Sequence, residues 1–304
     1  MRRLSFVAAI VVVGFAVAGC GAAGSNVTPE SAVAKTVSAQ APGGDLVALM
    51  SQGVRIKRLD NGLVLITKEN RTASVVSVHA VVKAGAMLEG QYLGAGISHL
   101  TEHLVAGGST VRRTEAQIQD KLDEIGAVTN AFTSQDRTVY FIDTMPEHLG
   151  TAIDLLSDWL QNAKIDPAEF QREWGVVQRE ILSGEDDPDR QMAYLLDEAM
   201  YPGLPQGIRT IGYYANIQQL TRDDVYSYYK SRYSPSNVAV CAAGDFDGAE
   251  AMAALEKAFA GWTGPKARPV VLSEPVPPVT DLVVVKEMDV RLTQGTIAYH
   301  SCRL

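Results

Sequence analysis

The stretch His99–His103, with the sequence His-Leu-Thr-Glu-His, is the feature that most constrains how this chain can fold. Two histidines four residues apart lie about 40° from each other around a helix axis, so a helical stretch lets both imidazoles reach one ion. Glu102 lies on the near side of His99, close enough to touch a water bound to that ion. These five residues leave the third ligand of such a centre unidentified.

The residue types in this stretch indicate a hydrolytic zinc centre. Imidazole suits zinc, which lowers the pKa of its bound water to roughly 7, and a carboxylate beside that water can act as the base. The order H-x-x-E-H is the inverse of H-E-x-x-H and is typical of the inverted zincins. The alternative is a surface helix with an accidental match, which a chain with five histidines gives in on the order of one case in a hundred.

The charge of the chain argues against one class of partner. The formal net charge is −8, and leaving out residues 1–19, with two arginines and no acid, makes it −10. An acidic surface argues against nucleic acid as a partner and is compatible with a cation-dependent enzyme.

Residues 1–19 have the pattern of a secretion signal. Arg2 and Arg3 form a charged start, and an almost wholly apolar run follows and ends in small residues before Cys20. This pattern resembles a bacterial lipoprotein signal, in which Cys20 is lipidated, and Gly21 after it favours the outer membrane. We therefore expect a lipid-anchored protein of the bacterial cell envelope that faces the periplasm. The alternative is an ordinary cleaved signal peptide with a coincidental cysteine.

Composition divides the remaining chain into four stretches. Residues 20–53 are rich in Gly, Ala, Ser, Thr and Val and are expected to form a flexible tether. Residues 54–263 carry the strand and helix patterns of a catalytic domain. Residues 264–280 contain five prolines and are expected to form a linker. Residues 281–304 have the pattern of the first strands of a truncated second domain.

Two acids lie on a helix that Asp166 and Pro167 are predicted to start. Glu173 and Glu180 are seven residues apart, so they share a face of that helix beside its apolar stripe. Ordinary boundary glutamates give the same pattern. Elsewhere, Cys241 lies in an apolar run and is expected to be a buried free thiol, with a disulfide to Cys302 left open.

The motifs, taken in order, resemble the pitrilysin/insulinase family of zinc peptidases, which includes the mitochondrial processing peptidases. The match covers about residues 54–262 and rests on four motifs. These are a zinc helix (residues 96–104), an edge strand with its partner (130–133 with 138–140), a distal glutamate helix (173 with 178–181) and a closing strand (233–237 with 244–245). In that family the third ligand follows the second histidine after 76 intervening residues, and this count leads from His103 to Glu180.

The resemblance implies an α+β fold, in which a mostly antiparallel sheet packs against helices as a half-unit of the processing-peptidase type. It also implies that the zinc ligands are His99, His103 and Glu180. Glu102 would be the general base. Glu173 would be a second acid that orients a histidine or the ligand set.

The resemblance further implies that Asn130 and Ala131 lie on an edge strand that pairs with an extended peptide. We therefore expect a zinc-dependent endopeptidase acting on unfolded peptides or small proteins. The chain departs from the family in two ways. Residues 105–110 are small where the family has bulkier ones, and of the family's second half-unit only its first strands have a counterpart here, in residues 281–304. The alternative is a non-catalytic or half-site subunit that binds peptides or a partner chain. The expected protein partner is a second half-unit of the family or a second copy of this chain.

Overall fold

The computed structural model describes residues 10–13, 52–266, 270–272 and 282–299. Cys20, Cys302 and most of the expected signal segment, tether and proline-rich linker lie outside the described residues. Within the described ranges, no helix is both long and apolar enough to cross a membrane.

The strands of the described chain form two sheets. Their bounds are β1 Ile10–Val13, β2 Val54–Arg58, β3 Val64–Glu69, β4 Val76–Val82, β5 Val128–Thr133, β6 Thr138–Thr144, β7 Val238–Gly244, β8 Leu282–Val285 and β9 Gly295–Ala298. The main sheet has the order β2-β3-β7-β4-β6-β5, in which β3 and β7 are parallel and the other neighbours are antiparallel. β5 therefore forms one edge of this sheet.

Helices cover the main sheet and build the site. Their bounds are α1 Ile97–Ala106, α2 Glu115–Glu124, α3 Leu149–Asn162, α4 Pro167–Glu185, α5 Pro188–Met200, α6 Tyr214–Ile217, α7 Arg222–Arg232 and α8 Gly248–Phe259. α3 packs against β4 and β6, and α8 packs against β3. The α+β prediction, with a mostly antiparallel sheet packed against helices, is confirmed.

Strand β4 shows why the sheet has one well-covered face. Its β-branched and small residues alternate with more polar ones, and Val76, Val78 and Ala80 are fully buried while His79 is half-buried. Cys241 lies opposite His79 in the register and, like it, is half-buried. Cys241 is a free thiol, as expected, but it is not fully buried, because its side chain alternates with the buried ones of β7.

The start of α1 is fixed by an unusual backbone and by a remote acid. Gly96, the residue before the helix, has φ of +68°, and a side chain there would overlap the carbonyl oxygen of Ile211. Gly96 offers no capping side chain. Instead the Glu89 carboxylate accepts hydrogen bonds from the N–H groups of Gly96 and Ser98, at 3.2 and 2.9 Å. Because α1 carries the histidine motif, these contacts position the site.

A smaller sheet joins three strands in the order β8-β1-β9. β1, which lies within the predicted signal segment, pairs antiparallel with β8 and parallel with β9. Val284 of β8 and Ala298 of β9 pack against a small apolar cluster that includes Met192 and Ala199 of α5. Residues 282–299 therefore lie against α5 within the described part of the chain.

Candidate metal centre and cleft

The two motif histidines lie side by side on α1. Ile97, Leu100 and Leu104 are fully buried and hold one flank of this helix in the core. The ring centroids of His99 and His103 are 4.7 Å apart. The four-residue spacing on a helix thus brings both imidazoles to one side, as the sequence predicted.

Glu180 reaches the same point from α4, which packs against α1. Its Oε2 atom lies 3.9 Å from Nε2 of His99 and 3.8 Å from Nε2 of His103. Zinc bonds of about 2.0–2.1 Å in a tetrahedron separate two donors by about 3.4 Å, so a small inward shift suffices. Within the described residues, no other group of three acid, histidine or cysteine side chains is arranged to hold a metal ion. The donor set therefore fits zinc.

His99 is held as a neutral donor. Burial, followed by the charges of His103 and Arg190, lowers the pKa of His99 to about 3. A neutral imidazole keeps the lone pair that a metal needs. The Nδ1 atom of His99 is buried and has no hydrogen-bond partner among the described residues.

His103 is oriented by Glu173, which lies two helical turns before Glu180 on α4. Nδ1 of His103 lies 3.1 Å from Oε2 of Glu173, and Nε of Arg172 donates to the other carboxylate oxygen at 2.9 Å. The bond from His103 lowers the pKa of Glu173 against the effect of burial. Burial disfavours the charged imidazole of His103, but the bond to Glu173 and the charges of Glu180 and Glu102 together raise its pKa. Donation from Nδ1 leaves Nε2 turned towards Glu180.

Glu102 lies beside the donor set and is tied to the edge strand. Its side chain accepts a hydrogen bond of 2.6 Å from Oγ1 of Thr133 at the end of β5, and the residue is 7% exposed. Burial raises the pKa of Glu102, the bond from Thr133 opposes this, and the charge of Glu180 adds to it. A carboxyl whose pKa is raised in this way takes up a proton more readily than an ordinary glutamate does.

The edge strand β5 borders the site. In the described residues β5 pairs only with β6, so its outer edge is open. Asn130 is exposed, and its Oδ1 accepts a hydrogen bond from the N–H of Ala131 at 2.8 Å. Asn130 and Ala131 therefore lie where an added strand would pair, but a peptide that uses the Ala131 N–H has to displace the Asn130 side chain.

An open cleft of about 320 Å³ joins these parts. It is lined by residues of α1, β5, α4, α5 and the loop before α6, namely His99, Glu102, Ala131, Phe132, Thr133, Glu180, Arg190, Tyr194, Thr210 and Ile211. The sequence did not identify Arg190, Tyr194, Thr210 or Ile211. The only available signal was the four-residue spacing of Arg190 and Tyr194 on the helix after the distal glutamates. The structure brings together all the predicted side chains of the centre, whereas the predicted lipidation site, Cys20, lies outside the described residues.

Two family models match the chain. The model described as Insulinase (Peptidase family M16) matches residues 64–212, and the model described as Peptidase M16 inactive domain matches residues 219–304. The probable mitochondrial-processing peptidase subunit beta of Arabidopsis thaliana is 30% identical over 69% of this chain and 39% of its own length. An uncharacterized zinc protease of Mycobacterium leprae is 31% identical over 70% of this chain and 47% of its own.

Solved structures agree with the fold. A protease from Helicobacter pylori matches with a TM-score of 0.66 and 25% identity over 73% of this chain and 53% of that one. The periplasmic protease PqqL of Escherichia coli matches with a TM-score of 0.68 and 20% identity over 74% of this chain and 26% of that one. The chain spans about half the length, or less, of the curated relatives it matches.

Proposed function

The chain belongs to the insulinase family of peptidases, family M16, and from that premise we propose that it is a zinc-dependent endopeptidase acting on unfolded peptides or small proteins. The observation that carries the proposal is the position of Glu180. Glu180 is separated from the second histidine by 76 intervening residues, yet its carboxylate lies within 3.9 Å of both imidazoles, with Glu102 in the same cleft.

His99, His103 and Glu180 would hold the metal ion through two imidazole nitrogens and one carboxylate. A zinc ion bound there supplies Lewis acidity, which polarises a peptide carbonyl and lowers the pKa of water to about 7. Three protein donors would match the number of protein ligands that catalytic zinc centres use.

Glu102 would move the proton. Its carboxylate accepts a proton from the attacking water and then delivers it to the amide nitrogen that leaves when the peptide bond breaks. The bond from Thr133 holds the carboxylate in the cleft while both transfers take place. The burial that raises the pKa of Glu102 suits both halves of this exchange.

Glu173 would act through His103 as a positioning residue. By accepting a hydrogen bond from the Nδ1–H group of His103 it fixes the ring orientation and leaves Nε2 free for the metal ion. Arg172, bonded to the other oxygen of Glu173, stabilises the charge of that carboxylate.

The open edge of β5 supports the proposal that the substrate is an extended peptide. A peptide that adds to this edge has to offer backbone N–H and C=O groups, most of which a folded protein already uses in its own hydrogen bonds. Asn130 and Ala131 are the proposed contacts on that edge. Because the chain spans about half of its relatives' length, we further propose that a second half-unit of the family, or a second copy, supplies the facing wall.

Lipidation of Cys20 and a place in the bacterial envelope remain proposals that rest on the sequence of residues 1–21. Mass analysis of the mature protein from a membrane fraction is the test. A lipid-modified N-terminal Cys20 is expected, and an unmodified N-terminus at another residue would contradict it.

The test of the proposed activity is cleavage of an unfolded, carboxymethylated protein by the zinc-loaded chain. A chelator should abolish the cleavage, added zinc should restore it, and Glu102→Gln should bind zinc but cleave at least about a hundredfold more slowly. Equal cleavage by Glu102→Gln would refute the proposed base. One bound zinc without any cleavage would instead support the half-site binding subunit.

A further inference from the structure

We propose that Arg190 and Tyr194 form a subsite for an acidic side chain of the bound peptide, beside the metal centre. The inference rests on the proposed function, because it assigns a substrate class to the same cleft. It concerns side chains that play no part in the proposed proton transfer. Both residues line the cleft together with His99, Glu102 and Glu180.

The two side chains approach each other beside Gly184. It lies one turn beyond Glu180 on α4, and a Cβ atom placed on it would be 3.5 Å from an Nη atom of Arg190 and 3.7 Å from the Tyr194 hydroxyl. Arg190 and Tyr194 are themselves one turn apart on α5. The guanidinium and the hydroxyl therefore converge over one glycine, next to the candidate metal ligand.

Both groups have unused hydrogen-bond donors. Among the described residues, the only ion pair of Arg190 joins its Nε to Asp187 at 3.5 Å, and the arginine side chain is 52% exposed. No hydrogen bond of the Tyr194 hydroxyl occurs within the same ranges. A planar guanidinium with a neighbouring hydroxyl presents several N–H and O–H groups to one carboxylate.

The ring of Tyr194 is held in place by a second arginine. The guanidinium of Arg209 lies over its ring, 4.4 Å from the centroid. Arg209 is fixed in turn by Glu185 at 2.6 Å and Glu198 at 3.1 Å. The subsite is thus supported by a second layer of charged groups, which reduces the entropy lost when a ligand binds.

Arg190 supplies the positive charge for an acidic side chain at this place. Arg190 is the one Lys or Arg side chain among the described residues that line the cleft. The two acids there are already directed elsewhere, Glu102 to Thr133 and Glu180 to the histidines. Because the whole chain has a net charge of −8, attraction of an acidic peptide has to be local.

Peptide binding tests the subsite without requiring catalysis. The zinc-loaded Glu102→Gln chain is titrated with fluorescent peptides that are otherwise uncharged. They differ only in carrying Glu, Gln or Lys at one fixed position. We expect the Glu peptide to bind about tenfold more tightly than the Gln peptide, as for a charge-assisted bond at a half-exposed site. Adding Arg190→Gln should bring the ratio to about one, and Arg190→Glu should favour the Lys peptide.

Two further variants test the hydroxyl and control for a general loss of positive charge. Tyr194→Phe, which removes only the hydroxyl, should reduce the ratio about threefold. Lys121→Gln, which removes an exposed cation of α2 outside the cleft, should leave the ratio unchanged. The zinc content and the thermal midpoint of each variant show whether it is folded. A Glu to Gln ratio near one in the parent background, or one that survives Arg190→Gln, would overturn the subsite.

Cleavage-site mapping with the active chain separates this inference from the proposed function. Zinc-dependent cleavage with no acid enriched at a fixed distance from the cut bond refutes the subsite and leaves the peptidase intact. Tight binding of acidic peptides without cleavage refutes the peptidase and leaves the subsite intact. Equal loss of cleavage of acidic and neutral peptides in Arg190→Gln would assign Arg190 to the reacting atoms and overturn the specificity role.

Discussion

Replacing Glu89 with glutamine is expected to make the unfolding free energy of the chain less dependent on pH between pH 5 and pH 8. Glu89 is 2% exposed, and each of its oxygens accepts one backbone N–H, from Ser98 and from Gly96, at the start of α1. Burial outweighs these bonds and raises the pKa of Glu89 from 4.5 to about 8. Folding therefore favours the protonated carboxyl.

The sign follows from the direction of that pKa. A carboxyl whose pKa is higher in the folded than in the unfolded chain contributes its full stabilisation below pH 4.5 and loses it as the pH rises to about 8. Glutamine has the size of the protonated acid and does not titrate. Its amide nitrogen cannot accept one of the two backbone N–H groups, which costs stability equally at every pH, so the predicted quantity is the change of the difference with pH. Between pH 5 and pH 8 the parent should lose about 3 kcal/mol of unfolding free energy relative to Glu89→Gln.

Urea unfolding of both chains from pH 5 to pH 8, in the presence of a chelator, measures this difference. The chelator removes metal-linked titration of the histidines, and all other groups cancel between the two chains. A difference that stays constant across this range would refute the reasoning. It would mean that the two N–H groups and the positive end of α1 keep Glu89 ionised throughout.

Two further predictions concern the glycines and the second acid of the site. Gly96→Ala should lower the unfolding free energy by about 3 kcal/mol or more, because the new side chain would overlap the Ile211 carbonyl. Gly126→Ala, at a similar φ of +56° but with open space around it, should lower it by about 1 kcal/mol. Equal thermal midpoints of the two variants would contradict this prediction. Glu173→Gln should weaken zinc binding about tenfold or more by loosening His103, as measured by competition with a chelating dye, and unchanged affinity would count against the positioning role.

The sequence predicted those parts of the molecule that depend on local periodicity or on a motif. Strand β4, Val76–Val82, is rich in β-branched residues whose burial alternates, a pattern that is contained in the local sequence. The four-residue histidine spacing located α1, and Asp166 caps α4 as its position before Pro167 predicted. Glu180 required more than periodicity, because 76 residues separate it from His103 and only the family spacing connected them.

The contacts that complete the site depend on packing between distant segments. The bond from Thr133 to Glu102 joins an edge strand to a helix, and nothing in either local pattern encodes it. Arg190 and Tyr194 reach the cleft because α5 turns back over Gly184, which a charge pattern along α5 alone does not reveal. Nothing in the sequence around Glu89 distinguishes it from a surface acid. Only the fold places its carboxylate at the start of α1.

Zinc titration of the metal-free chain by calorimetry tests the central claim most directly. We expect one site per parent chain, and Glu180→Gln should lose most of the affinity because it removes one of the three donors. Asp186→Asn, which removes an acid just beyond the end of the same helix and outside the donor set, should bind as the parent does. Unchanged zinc affinity in Glu180→Gln would contradict the assignment of His99, His103 and Glu180 as one metal centre.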